Sequence, residues 1–167
     1  MATKTNFISA EYLKAVTPLG NNIDNDKLTY NIWSVQETYL QPVIGTRLLE
    51  QLKAYETGST YPAPYNDLME DYVKDFIAWK TASESVFFLA YIVDNGGVFR
   101  HEPENGASVS RSELGDLRQL LADKAAHFQR RLVDHLQAYG SQYPEYYEWQ
   151  TGDMNKDQKS GLNNLYF

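Results

Sequence analysis

The sequence has no cysteine, no apolar run long enough to cross a bilayer and no excess of positive charge, and each absence closes off a class of protein. Without cysteine there is no disulfide framework and no thiolate zinc site, and nothing requires an oxidising compartment. The most apolar window, Val86 to Val93, falls far short of the roughly 20 residues that span a membrane. The opening MATKTNFISAEYLKAV lacks the apolar core of a signal peptide. A soluble protein made in the cytoplasm is the expectation. The formal net charge of -7 disfavours a surface that grips nucleic acid by neutralising phosphates, and the closest basic pair, Arg130 and Arg131, stands alone.

What is present is apolar and aromatic: 43% hydrophobic residues and thirteen tyrosines in 167 residues, enough for one domain with a real core. Ser9 can cap a brief helix to about Val16, which stops at Pro18 and Gly20. Asp24 can cap a second helix, in which Leu28, Ile32, Val35 and Tyr39 recur at the spacing of one buried face. Pro42 disfavours helical geometry at Gln41 and Gly45 loosens the backbone, so Pro42 and Gly45 mark a helix bend, after which Thr46 can start a helix carrying Leu48, Leu49 and Leu52. From Asn66 a long periodic run through Leu68, Tyr72, Phe76, Trp79, Val86 and Val93 predicts a central helix. The last helix opens on Ser110 and Glu113, spaced to cap one another. Its inner stripe reads Leu114, Leu117, Leu121, Phe128, Leu132, Leu136 and Tyr139, with Gly140 suited to the C-terminal cap.

These elements predict an all-α fold, a helical bundle of about four to five helices. A long polar loop, NGGVFRHEPENGASVSRSE from Asn95 to Glu113, joins the last two helices and could hold a short β-hairpin. It exceeds the connection of about 2 to 8 residues usual between neighbouring helices. Beyond Gly140 the aromatics lose helical period, so the expected organisation is a helical domain over 1–140 and an aromatic C-terminal arm over 141–167. Tyr143, Pro144, Tyr146, Tyr147 and Trp149 either anchor an inter-subunit arm or fold back onto their own bundle.

No catalytic or metal site emerges. His101 lies beside Glu102 and Glu104 in the loop, but no nucleophile motif accompanies them. His127 follows Asp123 by four residues, which suits a surface ion pair better than two metal ligands without a third, and His135 beside Asp134 has less support. Asp153, Asn155 and Asp157 occupy the first, third and fifth positions of a calcium loop. Gln158 stands where glycine is required and Asn164 where a bidentate glutamate is needed, which favours a polar turn. No phosphate loop or dinucleotide fingerprint occurs, and no cofactor is expected.

Several phrases in order, FISAEYLKAVTPLGNNIDNDKL, YLQPVIGTRLLEQL, NGGVFRHEPENGASVSRSEL, FQRRLVDHL and YPEY, make the sequence resemble the head-to-tail connector, or head completion, proteins of tailed bacteriophages. The resemblance is especially to the version in phages of Bacteroidetes hosts, the ring proteins of crAss-like phages. The resemblance covers roughly Phe7 to Tyr147 and implies a virion protein that is not an enzyme. It implies a closed ring of about twelve subunits below the portal, which touches adjacent neck or tail proteins and continues the DNA channel. DNA would pass through only transiently, and an acidic lumen would keep it from sticking. Val98, Phe99, Arg100, His101 and Glu102 are the candidate contacts to portal, neighbouring subunit or lumen. A small cytosolic helical interaction protein is the alternative reading, and an enzyme using His101 or His127 a more distant one.

Overall fold

The computed structural model describes residues 4–58, 60–94, 97–100 and 110–147. The fold is an all-α bundle, built among those residues from six α-helices, the last a single turn, when a helix that runs on through a π-helical turn counts as one. The first five are α1 (Ala10–Val16); α2 (Asn25–Val35), continuing through a π turn (Gln36–Leu40) into α3 (Gln41–Ile44); α4 (Thr46–Gly58); α5 (Ala63–Leu68), continuing through a second π turn (Met69–Val73) into α6 (Lys74–Ala90); and α7 (Arg111–Ala138). Strands β1 (Tyr91–Asp94) and β2 (Gly97–Arg100) follow α6, and the one-turn helix α8 (Pro144–Tyr147) closes the described chain.

The helix starts follow local chemistry. Ser9 Oγ accepts the Tyr12 N–H at 3.1 Å, Asp24 Oδ1 accepts the Asp26 N–H at 3.1 Å, and the capping box at α7 is complete. There Ser110 Oγ accepts from the Glu113 N–H at 3.2 Å while the Ser110 N–H donates to Glu113 Oε2 at 2.8 Å. Each such cap satisfies helix donors that no turn of helix can reach.

The expected bend moves. Gln41 stays helical (φ -53, ψ -47), because the preceding turn widens and the Gln41 N–H bonds back to the Gln36 carbonyl, five residues earlier. In a regular helix the Pro42 ring would press on the carbonyl of Thr38; the wide turn relieves that clash, so the helix carries its proline without breaking. The chain reverses at Gly45, whose φ of 82 and ψ of 157 lie in a region essentially restricted to glycine.

Two further corrections concern the long helices. The central helix begins at Ala63 rather than Asn66 and gives way at Ala90, where Tyr91, Ile92 and Val93 suit a pleated strand better than a helix. On α7 the buried stripe is Leu121, Ala125, Leu132 and Leu136, whereas Leu117 and Tyr139 are exposed. The first half of α7 packs mainly on one neighbour, α6, so only a narrow stripe is covered.

The core sits between α2, α4, α6 and the second half of α7, with Leu28, Ile32, Ile44, Leu48, Leu52, Phe76, Ile77 and Leu132 almost wholly withdrawn from water. Each contributes on the order of 1.5–3 kcal/mol of burial. Gln36 is fully buried among them, and its amide is matched on both sides: Oε1 accepts the Phe7 N–H at 2.9 Å and Nε2 donates to the Thr5 carbonyl at 3.0 Å. That side chain fastens the N-terminal segment to the bundle and brings Phe7 and Ile8 into the core.

Gly45→Ala is expected to lower unfolding stability by about 1–3 kcal/mol, and Pro42→Ala by less than about 1 kcal/mol. Urea titrations of both variants check this. A larger loss for Pro42→Ala would show that the proline, not the glycine, sets the bend.

Candidate functional site

α6 and α7 run antiparallel, as their cross-links show. Trp79 stacks on Phe128 with ring centroids 6.3 Å apart, and Ser83 Oγ donates to the Arg118 carbonyl at 3.0 Å. Glu84 bridges Lys80 at 2.7 Å and Arg118 at 3.3 Å. Burial pushes the Glu84 carboxyl up, but the two cations outweigh it and leave the group below the usual carboxylate range. The last turn of α6 and the first turns of α7 therefore lie at one end of the bundle, and the β-hairpin emerges there.

In the hairpin Tyr91 pairs with Arg100, Ile92 with Phe99, Val93 with Val98 and Asp94 with Gly97, antiparallel. Of the candidate loop contacts, Val98, Phe99 and Arg100 thus fall on β2; His101 and Glu102 lie outside the described residues. Among the described residues the two strands pair only with each other, leaving both outer edges without a strand partner. A two-stranded hairpin is marginal alone, and free edges invite pairing with another chain. On the last turn of α6 and the first three turns of α7 three large apolar side chains face water: Phe88 (63% exposed), Leu120 (57%) and Leu117 (45%).

The opposite end is closed by the segment expected to be an arm. Tyr143 is 1% exposed and Tyr146 6%, so these two are core residues and not inter-subunit anchors; the alternative of a fold back onto the bundle holds for them. The bundle accordingly runs past residue 140, through at least Tyr147. Tyr143 Oη donates to the Pro64 carbonyl at 2.8 Å and meets His135 Nε2 at 3.0 Å, and its ring stands edge-on to Tyr65 at 5.4 Å. Burial, then Asp67 and Tyr72, push its hydroxyl up to about 12. Pro144 and Tyr147 lie toward solvent, and Trp149 is outside the described residues. The close approach of the Tyr147 ring explains Gly140: a Cβ there would come within 2.1 Å of Tyr147 Cε2. The glycine serves this packing, since it does not adopt the left-handed backbone of a glycine cap.

The chain belongs to the family of unknown function DUF6712, whose model matches residues 40–156. No curated protein and no solved structure matches it. The stretch shared with the DUF6712 family contains Gly45, the α6–α7 pair, the hairpin and the Tyr143 anchor, while Gln36 precedes it.

The remaining candidate residues stay apart. Asp123 accepts from Gln119 Nε2 at 2.8 Å, and His127 stands edge-on to Phe128 at 5.5 Å, so the pair does not form the ion bridge its spacing allows. His101 and the calcium-like segment, Asp153 to Asn164, fall outside the described residues. Among the described residues no group of three or more His, Asp or Glu side chains could hold a metal, and no helix is long and apolar enough to cross a membrane. An open groove of about 930 Å³ is lined by Trp33, Lys4, Glu37, Glu50 and Lys53, but its charges are already engaged. Lys53 bridges Glu37 and Glu50 at 2.9 Å each, and Lys4 Nζ sits 3.3 Å from the Trp33 ring centre. Sequence spacing did not reveal Gln36, because its partners Thr5 and Phe7 come from a distant segment, nor the His135–Tyr143 contact, because the segment after α7 carries no helical period.

Tyr143→Phe leaves the Pro64 carbonyl and a His135 ring nitrogen without their shared partner. It should cost about 1–3 kcal/mol in denaturant unfolding, with the far-ultraviolet circular dichroism unchanged. A stability equal to that of the parent would mean that the hydroxyl does not anchor the segment.

Proposed function

We propose that this chain is a structural subunit of a tailed-bacteriophage neck: one member of a closed ring beneath the portal that joins head to tail and surrounds the DNA path. The observation that carries the reading is the β-hairpin whose strands, among the described residues, pair only with each other, together with exposed Phe88, Leu117 and Leu120 on the adjoining turns of α6 and α7. Subunits that assemble head to tail need an element that binds a different patch on the next subunit, and strand edges with apolar neighbours supply both main-chain hydrogen bonds and buried area. The sequence phrases that resemble connector proteins include this region. The charge of -7 suits a wall that DNA passes without binding.

On this reading the work is done by surfaces. Residues of the hairpin, with Val98, Phe99 and Arg100 on β2, meet the portal or an adjacent subunit. The Tyr143 end stays sealed and keeps the bundle rigid while the ring forms. The virion is then the site of action and the host cytoplasm the site of synthesis.

Two variants of the full chain, co-expressed with the portal protein of the same virus, test the proposal. One replaces residues 92–109 by a short Gly/Ser linker, and the other combines Leu117→Gln with Leu120→Glu on the exposed face. The parent should purify on portal as a ring visible by negative-stain electron microscopy. Both variants should remain folded by circular dichroism and lose at least about tenfold in portal association, a loss of about 1.4 kcal/mol. Rings that persist in both variants, or no portal association by the parent, would overturn the reading.

A further inference from the structure

His135 holds a position that the proposed assembly role does not use. Its ring stacks on Tyr72 with centroids 4.2 Å apart, touches Tyr139 at 4.9 Å, and brings Nε2 to 3.0 Å from Tyr143 Oη. The single Tyr143 hydroxyl proton is committed to the Pro64 carbonyl, which can only accept. Tyr143 Oη must therefore accept from His135, which fixes the neutral imidazole with its proton on Nε2. The other nitrogen, Nδ1, is buried and has no hydrogen-bond partner.

From this arrangement we infer that His135 is a proton-operated latch on residues 140–147: neutral, it holds the segment in the core, and protonated at Nδ1 it releases it. A proton taken from solvent by Nδ1 would create a buried, charged N–H with no acceptor, which is costly unless the ring leaves the site. Asp67 on α5 and Asp71 on the second π turn favour the cation. Arg131, one turn earlier on α7, lies over the Tyr72 ring at 5.4 Å, and Tyr72, Tyr139 and Tyr143 supply packing. Burial outweighs the two aspartates and holds the imidazole below its ordinary value of 6.5.

The sign follows. A histidine with its folded-state pKa lowered binds fewer protons folded than released, so the closed state is fully favoured above pH 6.5. That advantage declines as pH falls below this value toward and through the lowered one. The released segment is the one from which residues 148–167 continue, so the latch would link their tether to acidity. The inference concerns the free subunit and stands whether or not the chain forms a ring.

Amide exchange at Tyr143 and Tyr146, whose N–H groups bond within the segment, reads the latch directly. In the full chain, exchange corrected for its intrinsic pH dependence should be about tenfold faster near pH 5 than near pH 7.5. His135→Gln keeps a donor for Tyr143 but cannot take up a proton, and should abolish the difference. Asp67→Asn with Asp71→Asn retains the histidine, removes the charges that favour the cation, and should enlarge it. Equal pH ratios in parent and His135→Gln would overturn the latch. If His135→Gln does not fold, a ratio that fails to grow in the double aspartate variant would overturn it instead.

Discussion

Trp79 against Phe128, Ser83 against the Arg118 carbonyl, and Glu84 between Lys80 and Arg118 hold α6 and α7 antiparallel over much of their length. The rest of the structure is hung on that pairing. It fixes the hairpin at one end, because the chain must travel from the end of α6 to the start of α7. It places Tyr72 opposite His135 at the other, where the chain returns after α7 and inserts Tyr143. Without the pairing, neither the strand edges nor the sealed end would have a defined position. Ala82 and Val86 against Leu121 add a small apolar contact of their own, separate from the main core.

Polar groups inside the bundle are chosen as carefully as the apolar ones. A buried amide or hydroxyl without a partner costs about 1–3 kcal/mol. Gln36 avoids that cost by matching the backbone of Thr5 and Phe7, Asn31 by donating to Ser85 Oγ at 3.0 Å, and Tyr143 by bridging Pro64 and His135. All of these bonds except His135–Tyr143 join segments far apart in sequence, so they specify which surfaces meet as well as adding stability. The two ends of the spine differ in consequence: at one Tyr143 and Tyr146 are drawn into the core, and at the other the hairpin strands pair only with each other among the described residues and Phe88, Leu117 and Leu120 are exposed.

Features whose chemistry is confined to a few residues were legible in the sequence. The Ser9, Asp24 and Ser110–Glu113 caps, the apolar face of α2 and the all-α class needed only local spacing. The bend was half legible: Pro42 and Gly45 both signalled it, but the π turn over Gln36–Leu40 that carries the proline has no signal in local spacing. The burial of Tyr143 was not legible, because its acceptor lies 79 residues away and its own segment has no helical period. Leu117 and Tyr139 fitted the stripe of α7 yet stay exposed, since periodicity states which side a residue takes and not whether a neighbour is there to cover it.

Native-state hydrogen exchange of the free subunit, followed at low denaturant, measures the α6–α7 spine most directly. The amides of Phe76 to Val86 and of Leu121 to Leu136 should be the last to exchange, opening together at the global unfolding free energy, with the hairpin exchanging far earlier. A hairpin protected as strongly as those helices in the isolated subunit, or an α7 that opens while α6 remains closed, would contradict the spine on which the hairpin and the sealed end both rest.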